Sequence, residues 1–230
     1  MLYKEWITVR QKFAMWLGLY GLMAFLEVAV FSRPSPGTIY VNSANFVPMY
    51  NTWLMLSTLL TVFTSMIGGL DVLAEEVDRG TISFLLTRPV SRTRIYTSKI
   101  LMNIGALGVA LGLSSTAMWI IDRLSLNPIK FWEAAGGSLL VFLMGAGIIC
   151  LSGLVAIFAR NVLQTLAFTL AVVVLTIAAC AYVNYFISQL HLERKLDLVF
   201  NPALGLAVFL VVVPPALFAT GLFFFKRKEF

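Results

Sequence analysis

The sequence predicts an all-α membrane protein, and three observations carry that prediction. Of its 230 residues, 60% are hydrophobic and only 12% are charged, whereas soluble domains hold an apolar share of about 45–50%. A helix needs about 17–25 mostly apolar residues to cross a bilayer. Runs of that length follow one another here with short polar interruptions, which leaves no room for a large soluble domain. Lysines and arginines gather in alternate connections between the runs, as they do in the cytoplasmic loops of multi-pass proteins. Cys150 and Cys180 both fall inside apolar runs, where small buried hydrophobes explain them better than disulfide pairing or metal ligation.

The first dozen residues place Leu2, Trp6, Val9 and Phe13 at helical spacing, with Lys4, Arg10 and Lys12 pointing elsewhere. That pattern describes an amphipathic interfacial helix over 1–12; an ordinary charged lead-in to the first span is the competing reading. Six transmembrane helices are expected to follow: Phe13–Phe31, Tyr50–Leu70, Ile100–Ile121, Ser138–Ala159, Leu163–Ile187 and Ala203–Phe225. The first run is long, follows a charged stretch and lacks a clear small-residue cleavage site, so it reads as a retained helix rather than a signal peptide. In the third span Gly105, Gly108 and Gly112 form a stripe expected to let neighbouring backbones approach closely. Pro214 and Pro215 interrupt the sixth span and predict a kink. Glu27, Asn103, Gln164 and Asn184 are expensive in hydrocarbon and are expected to face other helices or a wet cavity. Glu27 and Asn184 are thereby candidates for a transport pathway, with structural hydrogen bonding as the alternative.

Orientation follows from the basic residues. Lys4, Arg10, Lys12, Arg79, Arg88, Arg92, Arg94, Lys99, Arg160, Lys226, Arg227 and Lys228 put twelve of the 17 on one side. Arg33, Arg123, Lys130, Arg194 and Lys195 put five on the other. The excess predicts a multi-pass cell-membrane protein with both termini cytoplasmic. The basic balance is therefore topological and favours anionic lipid headgroups, with nothing pointing to nucleic acid.

Catalytic chemistry is sparse. The single histidine, His191, falls in an outward-facing loop, where Leu192, Leu196 and Val199 suggest a short outer helix. Glu75-Glu76-Val77-Asp78-Arg79 is similar to the paired glutamates and arginine of CAAX-type intramembrane proteases. Its arginine comes one residue too early, however, and the membrane-embedded histidines of that family are missing. A charged helix end, with Glu75 or Glu76 paired to Arg79 across one turn, is the simpler account, and the protease stays a remote alternative. No Gly-rich phosphate loop ending in Gly-Lys-Ser or Gly-Lys-Thr occurs. Leu151-Ser152-Gly153 resembles the start of an ATPase signature, but it lies inside the fourth span without the following Gly-Gln and reads as helix packing. The chain is expected to be no enzyme and to hold no cofactor or metal of its own, so ATP-driven work would need an ATPase on another chain.

One polar segment stands out between the second and third spans. Asp71, Glu75, Glu76 and Asp78 make an acidic helix end, and Gly80 suits a left-handed stop. Thr81 is placed to cap a short apolar run, Ile82-Ser83-Phe84-Leu85-Leu86, in which Ile82, Leu85 and Leu86 share a face. Pro89 closes the run and biases Arg88 away from helix. Ser91 is then positioned to cap the helix that becomes span three, with Arg92, Arg94 and Lys99 at the inner surface. The prediction is a separate helix of one to two turns whose apolar face suits lipid and a docking partner equally well.

Glu75 to Arg92, followed by Lys99, resembles the cytoplasmic loop of type-2 ABC transporter permeases, which runs Glu, Gly-Thr, Leu-Leu, Pro-Val-Ser-Arg and then Lys. The resemblance implies a type-2 ABC exporter permease architecture over 1–230, with a coupling segment at 71–99 that docks on an ATPase subunit. Glu75 and Glu76 would lead into it. Gly80 and Thr81 would set the start of the coupling helix, and Phe84, Leu85 and Leu86 its buried face. Arg88, Pro89, Val90, Ser91 and Arg92 would form its exit. The implied partners are two ABC ATPase chains carrying ATP and magnesium, and a second permease copy, identical or related, that completes the pathway. A non-transport membrane scaffold or sensor recruiting a cytoplasmic partner through the same face is the alternative function.

Overall fold

The computed structural model describes residues 2–31, 49–78, 91–123, 130–159, 161–189 and 202–227, apart from Arg160 and some side chains near helix ends. Six helices account for nearly all of them: α1 Leu2–Phe31, α2 Met49–Asp78, α3 Arg92–Asp122, α4 Phe131–Phe158, α5 Val162–Gln189 and α6 Pro202–Arg227. No strand occurs among the described residues. Each helix matches one of the apolar runs, to within a residue at Ala159, and extends past it at one end or both. Hydropathy marks only the part that prefers oil, while intrahelical hydrogen bonds continue through polar ends such as Arg92–Lys99 on α3. The amphipathic lead-in and the first apolar run are one continuous helix, α1. Within the described residues, Thr52–Leu70, Thr93–Asp122 and Phe131–Phe158 are long and apolar enough to cross a membrane, and Phe13–Ala29 and Val162–Leu175 are shorter apolar stretches.

Local chemistry sets the helix starts. Ser91 caps α3: its Oγ accepts from the Arg94 amide at 3.4 Å, and its carbonyl accepts from Arg94 and Ile95 at 3.0 and 3.2 Å. Asn161 does the same for α5, its Oδ1 accepting from the Gln164 amide at 2.8 Å. The helix of α6 runs unbroken through Pro214 and Pro215.

The chain forms two compact units, Met1–Thr64 with Met102–Gly145, and Ser65–Leu101 with Ala146–Phe230. In the first, α1 buries Trp16, Tyr20, Ala24 and Glu27 along one face, while α2 turns Trp53, Ser57, Thr61 and Thr64 inward and leaves Met55, Leu59 and Phe63 exposed. Such inverted amphipathicity suits a bilayer, where oily side chains gain nothing by turning inward and small polar ones glue helices together. Tyr20 shares a hydrogen bond of 2.6 Å with Thr61. Other hydroxyls bond back one turn, as Thr58 does to the Leu54 carbonyl at 2.8 Å, so they cost little inside an apolar helix.

A buried hydroxyl cluster ties α2, α3 and α4 together within this unit. The Tyr50 hydroxyl donates to the Ala134 carbonyl at 2.9 Å and also meets Ser138 and Ser115, which lie 2.6 Å from each other. The Tyr50 amide donates to Asp122 Oδ1 at 3.4 Å, so a carboxylate from α3 caps α2 in trans.

The glycine stripe on α3 behaves differently from the expectation. A methyl group on Gly108 would lie 3.0 Å from the Phe142 ring, which makes this glycine a close-packing site. Gly105 and Gly112 are exposed and would meet nothing within 4 Å. Residues spaced by seven lie on nearly one face, but Gly108 sits about 60° from Gly105 and about 40° from Gly112 around the helix. The sequence spacing therefore could not say which of the three meets a neighbour.

Candidate functional site

The candidate site is the connection from α2 to α3. Gly80, Thr81, Phe84, Leu85, Leu86, Arg88, Pro89 and Val90 lie outside the described residues. Glu75 and Glu76 fall in the last turns of α2 and Arg92 opens α3, with their side chains also outside those described. Ser91 is the predicted residue whose role is visible, as the cap that starts α3.

Both anchors of the connection belong to the second unit, and glycines let its helices meet at close range. On α2, a methyl group at Gly69 would collide with the Ser152 side chain and come within 3.2 Å of the Ile149 carbonyl, both on α4. On α4, one at Gly153 would touch Ile100 and Tyr96 of α3 and Val72 of α2 at 3.4–3.6 Å. Gly147 faces Pro214 of α6 at 3.5 Å by the same measure. The end of α2, the start of α3, the second half of α4 and α6 thus pack together at glycines, with backbone approach between α2 and α4 at Gly69. The Ser152-Gly153 pair inside the fourth apolar run is indeed helix packing.

Tyr96, little more than one turn after the Ser91 cap, is fully buried and joins α3 to α6. Its ring stacks on Phe218 at 6.0 Å and on Phe225 at 5.5 Å, with interplanar angles of 27° and 28°. Its hydroxyl has no hydrogen-bond partner and points to Gly221, where a methyl group would overlap it and lie 2.9 Å from Cζ. Held between two rings, the tyrosine cannot swing away. Gly221→Ala should therefore destabilise the protein by about 1–3 kcal/mol, the usual cost of overpacking. Tyr96→Phe removes only an unsatisfied hydroxyl and should be neutral or stabilising. Thermal unfolding of the double variant should show a smaller loss than Gly221→Ala alone; strictly additive losses would mean that the two residues do not touch.

Sequence reasoning overlooked Gly69, Tyr96 and Gly221. Their only signals were a small residue late in the second apolar run, an aromatic just inside a capped helix, and a glycine ahead of three consecutive phenylalanines.

The pathway candidates fare separately. Asn184 lies in α5, with its side chain outside those described. Glu27 is 3% exposed in the first unit. Neither oxygen of its carboxyl group has a hydrogen-bond partner. A buried carboxyl so weakly satisfied is expensive in packing terms alone, and that keeps it a candidate. Asn103 is buried in the same unit, while Gln164 belongs to the capped start of α5.

Comparison with curated proteins gives no match. Comparison with protein families does: the model for ABC-2 family transporter proteins matches residues 1–179, from α1 through most of α5.

Proposed function

The chain belongs to the ABC-2 family of transporter proteins, membrane transport components that work with an ABC ATPase, and from that premise we propose that it is the permease subunit of an ATP-driven exporter. In this reading two copies, identical or related, enclose the pathway, and two ATPase chains bind ATP and magnesium in the cytoplasm. The coupling segment at 71–99 seats Phe84, Leu85 and Leu86 in the ATPase. With six spans both termini and this segment share one side, and the excess of lysine and arginine there supports reading it as the cytoplasmic one. Glu27 and Asn184 are the side chains offered for contact with substrate.

The observation that supports coupling is the interlocked second unit. A push on the segment reaches the end of α2 and the start of α3 together, and these cannot bend independently of α4 and α6. Gly69 brings α2 close to the backbone of α4, Gly153 receives side chains of α2 and α3 at contact distance, and Tyr96 is wedged against Gly221. Closure of the ATPases would therefore tilt a packed block rather than flex a loop, the small rigid-body motion by which bistable helix assemblies switch.

The test is co-expression with an ABC ATPase and purification in lipid, followed by ATP hydrolysis with and without amphipathic compounds. Retention of the ATPase and stimulated hydrolysis are expected; a permease that retains no ATPase overturns the reading. Orientation has its own measurement. In a background lacking Cys150 and Cys180, Glu193→Cys should react with an impermeant maleimide on intact cells. Labelling only after permeabilisation would reverse the topology.

A further inference from the structure

The last turns of α6 carry two faces with different tasks. One face is buried: Gly221 and Phe225 pack on Tyr96. The other exposes Phe223, Phe224, Lys226 and Arg227. There the rings form an ordered row, Phe224 standing edge-on to Phe223 at 5.6 Å and to the exposed Phe158 of α4 at 5.2 Å. The Arg227 guanidinium lies 4.2 Å from the centre of the Phe223 ring. Such a cation–π contact holds the charge at one place while leaving its outer N–H groups open. The chain continues with Lys228.

Three rings in fixed edge contact beside two exposed cations match one class of partner. Apolar rings suit acyl chains at the border of the hydrocarbon, and the cations above them suit a phosphate. We propose that this face binds an anionic phospholipid, its phosphate on Lys226 and Arg227 and its acyl chain on Phe158, Phe223 and Phe224. The bound lipid steadies the Phe225–Tyr96 stack from behind. It thereby acts on the start of α3, where the connection to α2 ends. On the orientation proposed above, the lipid comes from the cytoplasmic leaflet.

The experiment uses the full-length permease without any ATPase, so its result is independent of the coupling reading. The protein is equilibrated with vesicles of equal phosphatidylcholine and phosphatidylglycerol, and the lipids retained after purification are identified by mass spectrometry. Wild type should enrich phosphatidylglycerol. Lys226→Ala with Arg227→Ala should lose that preference by about fivefold per cation, the effect of one basic residue at an anionic surface. Arg10→Ala, an exposed cation of the other unit, should leave it unchanged. Phosphatidylglycerol should also raise the thermal midpoint of wild type but not of the Lys226/Arg227 variant. Equal retention of the two lipids, an unaffected Lys226/Arg227 variant, or full competition by inorganic phosphate would each overturn the proposal.

Discussion

Replacing Leu85 and Leu86 together with aspartate should strip the ATPase from the permease. If both leucines are buried at the interface, each contributes about 1.5–3 kcal/mol relative to exposure. Their loss alone weakens the complex by a factor of about 10²–10⁴. Each new carboxylate adds a desolvation cost where no cation awaits it. Few interface residues carry most of the binding energy, so Ser83→Ala, on a different face of the same short run, should leave retention within about twofold. The readouts are ATPase co-purification and substrate-stimulated hydrolysis in lipid, with thermal unfolding of the permease alone as a control. On this reading both side chains face the ATPase and not the permease core, so the unfolding midpoint should not move. Retained ATPase with undiminished hydrolysis would place the docking face elsewhere.

Gly69→Ala should have the largest effect on the permease itself. The added methyl group would fall on the Ser152 side chain, including Cβ, and within 3.2 Å of the Ile149 carbonyl. These obstacles belong to the backbone of α4 or sit directly on it, so no rotamer change relieves them. Either α2 and α4 separate or the local helices distort. Overpacking of this kind costs about 1–3 kcal/mol, and a chain of this size loses about 2–4 °C of thermal midpoint per kcal/mol. The expected fall is therefore about 2–12 °C. Ser152→Gly removes the colliding atoms, and the Ser152 hydroxyl is buried without a hydrogen bond, so its loss forfeits no partner. The double variant should recover much of the midpoint, less about 1 kcal/mol for a glycine inside a helix. Gly105→Ala is the internal control, since its methyl group meets nothing within 4 Å; it should be neutral or slightly stabilising. If Gly69→Ala matched Gly105→Ala, the close approach of α2 and α4 would be refuted. If the tilting-block mechanism holds, Gly69→Ala also lowers stimulated hydrolysis while the ATPase stays bound. That separates transmission from docking.

The legibility of this protein divides along a physical line. Ser91 was readable as a cap because capping depends on a side chain and the amides two or three residues ahead of it. The apolar runs were readable because membrane insertion sums hydropathy along a segment. The expected spans begin inside their helices, at Ser138 against Phe131 and at Ile100 against Arg92, because a helix can continue beyond its oily part. The inward-facing hydroxyls of α2 were missed for a related reason. A few serines and threonines hardly lower the summed hydropathy of a long apolar span, so nothing flagged Ser57, Thr61 or Thr64 as a buried face.

By itself, the sequence determined the helical membrane class, the order of the apolar runs, the start of α3 and the family signature between Glu75 and Arg92. All of these are properties of neighbours along the chain. Only the tertiary structure decided that Gly108 packs while Gly105 and Gly112 do not, that Gly69 and Gly221 are contact points, and that Tyr96 joins α3 to α6. Those choices depend on how each helix is rotated about its axis and on which side chain arrives opposite. In a bilayer, lipid and protein partners are equally apolar, so hydropathy leaves that rotation undetermined and close packing settles it.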